Sequence, residues 1–421
     1  MATIAAPVKS PEAGPQKGAE EMRYIARQPI LDENHRVHAY ELHFQMNPEA
    51  VMEGDEVRAM RTILDDAVLF GIERFTNGLP AFVNCTAEAL TEQLVAVLPP
   101  AMTVLEISAD LEVSPALAAA CRELKQTGFR FALVDFCWNS MPHPLFDLVE
   151  YVKTDLDRLD ADGCQRLRRR LHGTSTAMMA DKVETQEDYR RASAAGFTLF
   201  EGYYFCHPEL IKNSKVPANR LVHLDILRQL HNDPLDLKKI GPLVLRDASL
   251  TYRLLRLVNS PLYAIRQEVR SIESAIMLVG ETTFRRIATL AICSESNTGE
   301  PPEILHMALV RARFCELAAK HCGLDPNEQY LLGMFSLLPA MMRQSMERLA
   351  SELPLRNEIR QALLGENNRE RSLLAWIESH ERNDQGTRDA IAETNTLNLK
   401  KLVLCYLDAL LWDAAARRSA N

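Results

Sequence analysis

Short strand-like segments alternate with longer helix-forming segments from about Met22 to Cys206, and no other feature limits the possible folds of the chain as much. This alternation is typical of βα units arranged around a parallel sheet. The first two predicted strands are joined by the polar residues 32–35, which suit a hairpin. Because six more strands follow at βα spacing, the sequence predicts a βα barrel. The predicted strands cover 24–31, 36–44, 81–84, 104–107, 131–135, 151–154, 176–181 and 198–202. The helices predicted between them cover 56–70, 86–98, 115–127, 160–171 and 185–195.

A polar residue stands near the carboxyl end of nearly every one of these strands. In a βα barrel these ends meet at one face, where active sites are built, so the polar residues would be neighbours in space. Their oxygens would suit a hard cation such as Mg²⁺, Mn²⁺ or Ca²⁺. The start of a loop explains any single polar strand end, but it explains the whole series less well. The series consists of Glu41, Asn84, Glu106, Asp135, Lys153, Asp181 and Glu201.

The second half of the chain has a different pattern of apolar residues. From about Asp225 onward, Leu, Ile and Ala recur at every third or fourth position, which predicts an all-α domain. The opening residues are rich in Ala and Pro and contain no continuous apolar core, which predicts a disordered tail. We therefore expect a tail at 1–21, the barrel at 22–207 and the helical domain at 208–421.

Composition argues against several classes of function. The 421 residues carry a net charge of −9, which disfavours a nucleic-acid partner. No apolar run approaches the roughly 18 residues that cross a bilayer, so no membrane association is predicted. The nine cysteines form no CxxC pair, and the common phosphate-loop, zinc-protease and serine-hydrolase motifs are missing. We expect a cytoplasmic protein.

Eight short motifs in the first domain resemble, in order, those of the EAL family of cyclic di-GMP phosphodiesterases. They are QPI at 28–30, YELHF at 40–44, VN at 83–84, EISA at 106–109, VDF at 134–136, VKTD at 152–155, ADKVET at 180–185 and EGY at 201–203. The resemblance implies an α/β TIM-like barrel of the EAL type, in which the first strand is antiparallel.

The helical half resembles the HDOD module, through LLRLVNSPLY at 254–263 and GMFS at 333–336. Catalytic relatives of this module bind metal through an adjacent His-Asp pair. The chain contains no His-Asp dipeptide, and Ser336 and Leu337 stand where the resemblance would place it. The resemblance therefore implies a module that binds a protein partner rather than a second catalytic domain.

The EAL mechanism implies roles for the polar strand ends. In that family two metal ions activate a water molecule between them. Should a metal bind here, the resemblance implies the ligands Glu41, Asn84, Glu106 and Asp135. The ligand-binding candidates are Gln28, Glu41 and Gln45. Vestigial catalytic positions are implied at Lys153, Asp181, Glu184 and Glu201.

Five positions depart from the family pattern. Val134 matters most, because an isopropyl group cannot coordinate a cation and a two-metal centre would lose a central ligand. The departures are Gln45 for the arginine that clamps a substrate phosphate, Ala109 for the second acid of ELTE, Val134 for the first aspartate of DDFG, Asp181 for the glutamate of AEGVET and Glu201 for the glutamine of QGY.

These departures predict a signalling protein that acts by binding rather than by catalysis and requires no cofactor. Binding of Mg²⁺ or Mn²⁺ stays open, as does a homodimer. The excess of carboxylates disfavours cyclic di-GMP, which is itself anionic. The alternative is a metal-dependent phosphodiesterase that converts cyclic di-GMP to linear pGpG, in which Asp135 replaces the ligand lost at Val134.

Overall fold

The computed structural model describes most of the chain. The described residues are 23–46, 71–138, 141, 143–206, 218–232, 235, 237–245, 250–251, 254–255, 258–259, 272–297 and 300–420. The predicted tail at 1–21, a predicted helix at 56–70 and the side chain of Gln45 lie outside this set.

Eight strands close into a barrel in chain order. Strand β1 is antiparallel to both of its neighbours, β2 and β8, whereas β2 to β8 pair in parallel. The strands are β1 (Arg23–Asp32), β2 (Val37–Met46), β3 (Ala81–Asn84), β4 (Thr103–Ser108), β5 (Arg130–Val134), β6 (Tyr151–Asp155), β7 (Ala177–Asp181) and β8 (Leu199–Glu201).

Helices connect the parallel strands, and side-chain caps fix where several of them begin. Ser114 caps α3 by accepting from the Leu117 amide, and Thr185 forms a capping box with Asp188 at the start of α5. The barrel helices in the described residues are α1 (Ile72–Thr76), α2 (Ala87–Thr91), α3 (Pro115–Gln126), α4 (Ala161–Leu171) and α5 (Gln186–Ala195).

A layer of apolar side chains fills the barrel interior, with one residue from each strand. Its members are Ile30, Ala39, Phe82, Val104, Ala132, Tyr151, Met179 and Leu199, and all are buried. This apolar layer closes the barrel, so that any site must lie above it, toward the carboxyl ends of β2 to β8.

The remainder of the described chain is helical. Its helices are α6 (Ala218–Leu230), α7 (Leu237–Leu245), α8 (Ile272–Val279), α9 (Glu281–Ser296), α10 (Pro302–Cys322), α11 (Pro326–Phe335), α12 (Leu338–Met342), α13 (Met346–Glu352), α14 (Asn357–Leu363), α15 (Arg371–Glu381), α16 (Gln385–Thr394) and α17 (Leu399–Ala420). None of the described helices combines the length and the apolar character that crossing a membrane requires.

The predicted fold is confirmed: an α/β barrel with an antiparallel first strand precedes an all-α region. Two local predictions are wrong. Strand β5 ends at Val134 rather than at Asp135. The helix predicted over 86–98 breaks into α2 and a separate 3-10 turn at Leu94–Val97, because Gln93 adopts a left-handed conformation with φ of 53°.

Candidate functional site

A second layer of side chains lies directly above the apolar layer, and we call it the site layer. Two residues along a strand return the side chain to the same face, so each strand contributes the residue two positions nearer the open end. The site layer consists of Gln28, Glu41, Asn84, Glu106, Val134, Lys153, Asp181 and Glu201. Seven of these eight residues are polar, and the exception is the contribution of β5.

Val134 points into the barrel and Asp135 points away from it. Val134 is 5% exposed and packs with the apolar layer. Asp135 is exposed, adopts φ of 54°, and its Oδ1 lies 3.3 Å from Nη1 of Arg158. The expectation that Asp135 would join the other strand-end residues at the centre of the barrel is therefore wrong, because β5 ends at Val134 and the backbone turns at Asp135.

The ammonium group of Lys153 lies among three buried carboxylates of the site layer. Lys153 donates a hydrogen bond to Oε2 of Glu41. Its Nζ lies 2.7 Å from Oε2 of Glu201 and 3.4 Å from Oε1 of Glu106. The four side chains are each no more than 7% exposed, so solvent screens these charges little.

The pKa values of the three glutamates shift in different directions because all three share one positive charge, that of Lys153. Burial alone would raise the pKa of Glu41, but the adjacent Lys153 lowers it below the usual range. Burial and the charge on Glu41 raise the pKa of Glu106 and of Glu201 well above the ordinary value. Burial opposes the charge of Lys153, yet the three carboxylates raise its pKa well above the ordinary value. The charged core of the layer is thus the pair Lys153 and Glu41, with protons favoured on the other two acids.

Two further titratable groups face this cluster. Asp181 is partly buried, and burial together with Glu41 raises its pKa. His43 lies two residues beyond Glu41 on the same strand, and its Nδ1 is 3.6 Å from Glu41 Oε1. Burial lowers the pKa of His43, which favours the neutral imidazole. His43 was not among the residues that the sequence singled out, although its two-residue spacing from Glu41 on a strand was the available signal.

The remaining predicted site residues lie at the margin of the cluster or outside it. Gln28 pairs with Glu41 in the β1–β2 register and is half-buried. Asn84 pairs with Glu106 in the β3–β4 register but is exposed. Glu184 is exposed in the loop after β7. Gln45 belongs to β2, and only its backbone is described.

The residues present do not fit a two-metal centre of the kind the EAL family uses. The interior end of β5 presents the apolar Val134, and the carboxylate of Asp135 is paired with Arg158 outside the barrel. Glu41, Glu106 and Glu201 already contact an internal cation, the Lys153 ammonium. That Glu41, Asn84, Glu106 and Asp135 together hold a metal stays a prediction.

The glycine after Glu201 holds the end of β8 against the loop that follows β7. Gly202 adopts φ of 139°, and a Cβ atom at this position would lie 2.1 Å from the carbonyl oxygen of Val183. The Val183 amide donates to the Glu201 carbonyl at 2.8 Å. Only glycine permits this close approach, which fixes where the Glu201 side chain enters the cluster.

A closed barrel with an antiparallel first strand, an interior lysine among glutamates and an attached helical region define a class of two-domain EAL-type proteins. A family model described as HDOD domain matches residues 216–372. The chain is 32% identical, over 92% of its length and 97% of the relative, to the uncharacterized protein YuxH of Bacillus subtilis. The chain belongs to the EAL-HDOD family.

Other similar proteins include a phosphodiesterase. Over 81% of its length the chain is 31% identical to the cyclic di-GMP phosphodiesterase CdgJ of Vibrio cholerae, and the match covers 80% of that protein. Among solved structures, Klebsiella pneumoniae BlrP1 with manganese and cyclic di-GMP matches 46% of this chain and 57% of its own, at 17% identity and a TM-score of 0.37. An EAL domain protein of Listeria monocytogenes matches 44% of this chain and 87% of its own, at 16% identity and a TM-score of 0.37.

Proposed function

We propose that this protein is a non-catalytic member of the EAL-HDOD family, in which the barrel acts as a receptor or scaffold in cyclic di-GMP signalling. The helical domain transmits the state of the barrel to a protein partner. No cofactor is required for this role. The kinship with a cyclic di-GMP phosphodiesterase supports the signalling pathway, and the composition of the site layer supports the loss of catalysis.

The observation that carries the proposal is Val134 in the site layer. A two-metal hydrolytic centre needs a carboxylate between its ions, and β5 offers an isopropyl group buried among apolar neighbours. Moving Asp135 into the layer would require the end of β5 to rotate by one residue, which would push Val134 outward. The ion pair between Asp135 and Arg158 opposes that rotation.

Charge in the layer supports the same conclusion. Glu201 stands where the EAL motif set has a neutral glutamine, and it adds a third buried carboxyl group around Lys153. Lys153 is the sole cationic side chain among the eight site-layer residues. With protons favoured on Glu106 and Glu201, the layer offers no net positive charge to an anionic dinucleotide, and the phosphate-clamping arginine is replaced by Gln45.

A working phosphodiesterase that forms linear pGpG is the second candidate. The 31% identity to CdgJ and the retention of Glu41, Asn84, Glu106 and Lys153 favour it. This candidate needs Asp135 to act as a metal ligand in the catalytic state, and it therefore predicts that Asp135→Ala abolishes hydrolysis.

Restoring the family residues separates the two candidates. We expect wild-type protein not to cleave cyclic di-GMP with Mg²⁺ or Mn²⁺, and the double variant Val134→Asp, Gln45→Arg to gain cleavage, measured by chromatography of the nucleotide. A charged contact to phosphate contributes about 1.5 to 3 kcal/mol, so Gln45→Arg alone is expected to improve binding without restoring cleavage.

Asp135→Ala is the matched control, since it removes an acid outside the barrel. The proposal predicts that this change leaves the double variant active. Loss of activity in the wild-type protein on Asp135→Ala would support the second candidate. A double variant that neither binds metal nor cleaves would contradict the argument that the missing ligand is the cause.

A further inference from the structure

We propose that Glu41, His43 and Glu201 form a site for a single transition-metal dication, such as Zn²⁺ or Co²⁺. One ligand atom from each of the three side chains lies within 4.8 Å of those of the other two. Two carboxylates and an imidazole are a donor set that zinc sites use. The site differs from the family's two-metal centre, because His43 and Glu201 stand where the EAL and QGY motifs have leucine and glutamine.

The imidazole of His43 distinguishes the proposed site from a cluster of carboxyl groups alone. Its side chain is 16% exposed, and it stands on β2 two residues nearer the open end of the barrel than Glu41. Its Nε2 is shielded from solvent and has no hydrogen-bond partner among the described residues. The nitrogen nearest a carboxylate is Nδ1, at 3.6 Å from Glu41 Oε1, so the neutral ring can present this atom to an ion.

Glu106 provides an independent observation. The residue is fully buried, and its Oε1 faces Lys153 at 3.4 Å. Its Oε2 has no hydrogen-bond partner within the part of the chain that the structure describes. An unpartnered buried oxygen beside the proposed ligands is a polar group that an ion in the cluster would satisfy.

The imidazole determines which class of ion the site takes. Mg²⁺ and Ca²⁺ prefer oxygen ligands, whereas Zn²⁺, Co²⁺ and related ions accept a histidine nitrogen. The motif leucine at position 43 would offer no ligand at all. Histidine in place of the motif leucine at position 43 therefore adds a ligand suited to a softer ion.

Lys153 competes for the same carboxylates. Its ammonium contacts Glu41 and lies 2.7 Å from Glu201 Oε2, which are two of the three proposed ligands. A dication and an ammonium cannot share those oxygens without strong repulsion. The dication and the Lys153 ammonium thus compete for the same site, and binding of the metal displaces Lys153 from Glu41 and Glu201.

The test is metal binding by the full-length protein after removal of bound metal with a chelator. Co²⁺ is titrated by its electronic absorption, Zn²⁺ is measured by competition with a chromophoric chelator, and Mg²⁺ serves as the comparison. We expect one equivalent of Co²⁺ or Zn²⁺ to bind with an absorption spectrum of nitrogen and oxygen ligation. Millimolar Mg²⁺ should not displace it.

Four variants locate the ion. His43→Leu and Glu201→Gln restore family residues and so are expected to fold, and each should weaken Co²⁺ binding at least about tenfold, since even outer partners of metal ligands contribute 10- to 100-fold. Lys153→Met should strengthen binding, because it removes the competing ammonium. His172→Leu is the matched control, since His172 is exposed before the amino end of β7, at the opposite rim, and it should leave binding unchanged.

Three results would overturn the proposal: no Co²⁺ or Zn²⁺ binding, equal affinity in wild type, His43→Leu and Glu201→Gln, or a spectrum of thiolate ligation that assigns the ion to cysteines. Because the readout is binding, it does not depend on whether the barrel cleaves a nucleotide. The inference and the proposed function therefore succeed or fail separately.

Discussion

In the proposed function, the side chain at the end of β5 is what separates this barrel from a two-metal hydrolase. Val134 and Asp135 are adjacent in the chain, but only Val134 faces the site layer. The remaining acids then depend on Lys153 for charge compensation, and it contacts three of them. A single residue change thus alters both the metal ligands and the balance of protons in the layer.

Substitution of Glu106 tests whether this buried acid is protonated in the folded protein. Burial, and then Glu41, raise the pKa of Glu106 in the folded protein above its value in the unfolded chain. Its neutral form therefore stabilises the fold fully below about pH 4.3, and this contribution is lost as the pH rises toward the folded-state pKa. Glutamine mimics the neutral acid, so Glu106→Gln should be more stable than wild type by about 1 kcal/mol or more at pH 8.

The stability difference between Glu106→Gln and wild type should disappear as the pH falls toward 4, where Glu106 is protonated in both the folded and the unfolded wild-type protein. Urea denaturation with chelator present, repeated across this pH range, measures it. Glu112→Gln is the control, because Glu112 is exposed in a loop, and its profile should parallel that of wild type. A Glu106→Gln variant that is less stable than wild type at pH 8 would contradict the prediction that burial favours the neutral acid.

Among the elements, β8 shows how backbone geometry places a functional side chain. Its three residues end at Glu201, and Gly202 then turns the chain against the Val183 backbone. The Tyr204 amide also donates to the Val183 carbonyl, at 3.0 Å. The two carboxyl-end loops after β7 and β8 are therefore joined at the position where Glu201 meets Lys153.

Gly202→Ala tests this junction. The added Cβ would lie 2.1 Å from the Val183 carbonyl oxygen, and alanine disfavours φ of 139°. We expect a loss of about 2 kcal/mol or more in the free energy of unfolding, measured by denaturant titration. Gly173→Ala is the control, because Gly173 also has positive φ but no atom within 4 Å of its Cβ position. Equal losses in both variants would attribute the effect to φ alone.

At the scale of the whole molecule, the outer wall of the barrel is part of the contact with the helical domain. Tyr40 donates to Glu303 Oε2 at 2.9 Å, while the next residue, Glu41, belongs to the site layer. His380 Nε2 donates to the Ile25 carbonyl at 3.1 Å. Strands β1 and β2 therefore contact the site on one face and helices α10 and α15 on the other. Through these contacts, a ligand that binds at the site in the proposed function would act on the helical domain directly.

The alternation of side chains between the two faces of a strand explains what the sequence could and could not predict. Motif spacing located Glu41, Glu106, Lys153 and Glu201 correctly, because each stands on a short strand whose boundaries the motifs define. It misplaced Asp135, since β5 ends one residue earlier than predicted and the backbone turns at Asp135.

Two features were beyond the reach of sequence reasoning for different physical reasons. His43 matches no family ligand, so only its spacing from Glu41 marked it. The contact between Tyr40 and Glu303 joins residues 263 positions apart, and no local pattern encodes such a pairing. Tertiary packing between the domains therefore had to come from the structure.

In the proposed function, the barrel has lost catalysis while keeping the EAL fold. The most direct measurement is a time course of cyclic di-GMP incubated with the wild-type full-length protein and Mn²⁺ or Mg²⁺, resolved by chromatography. CdgJ serves as the positive control. We predict that the nucleotide stays intact with this protein while CdgJ converts it. Formation of linear pGpG by the wild-type protein, and its loss on Asp135→Ala, would contradict the account.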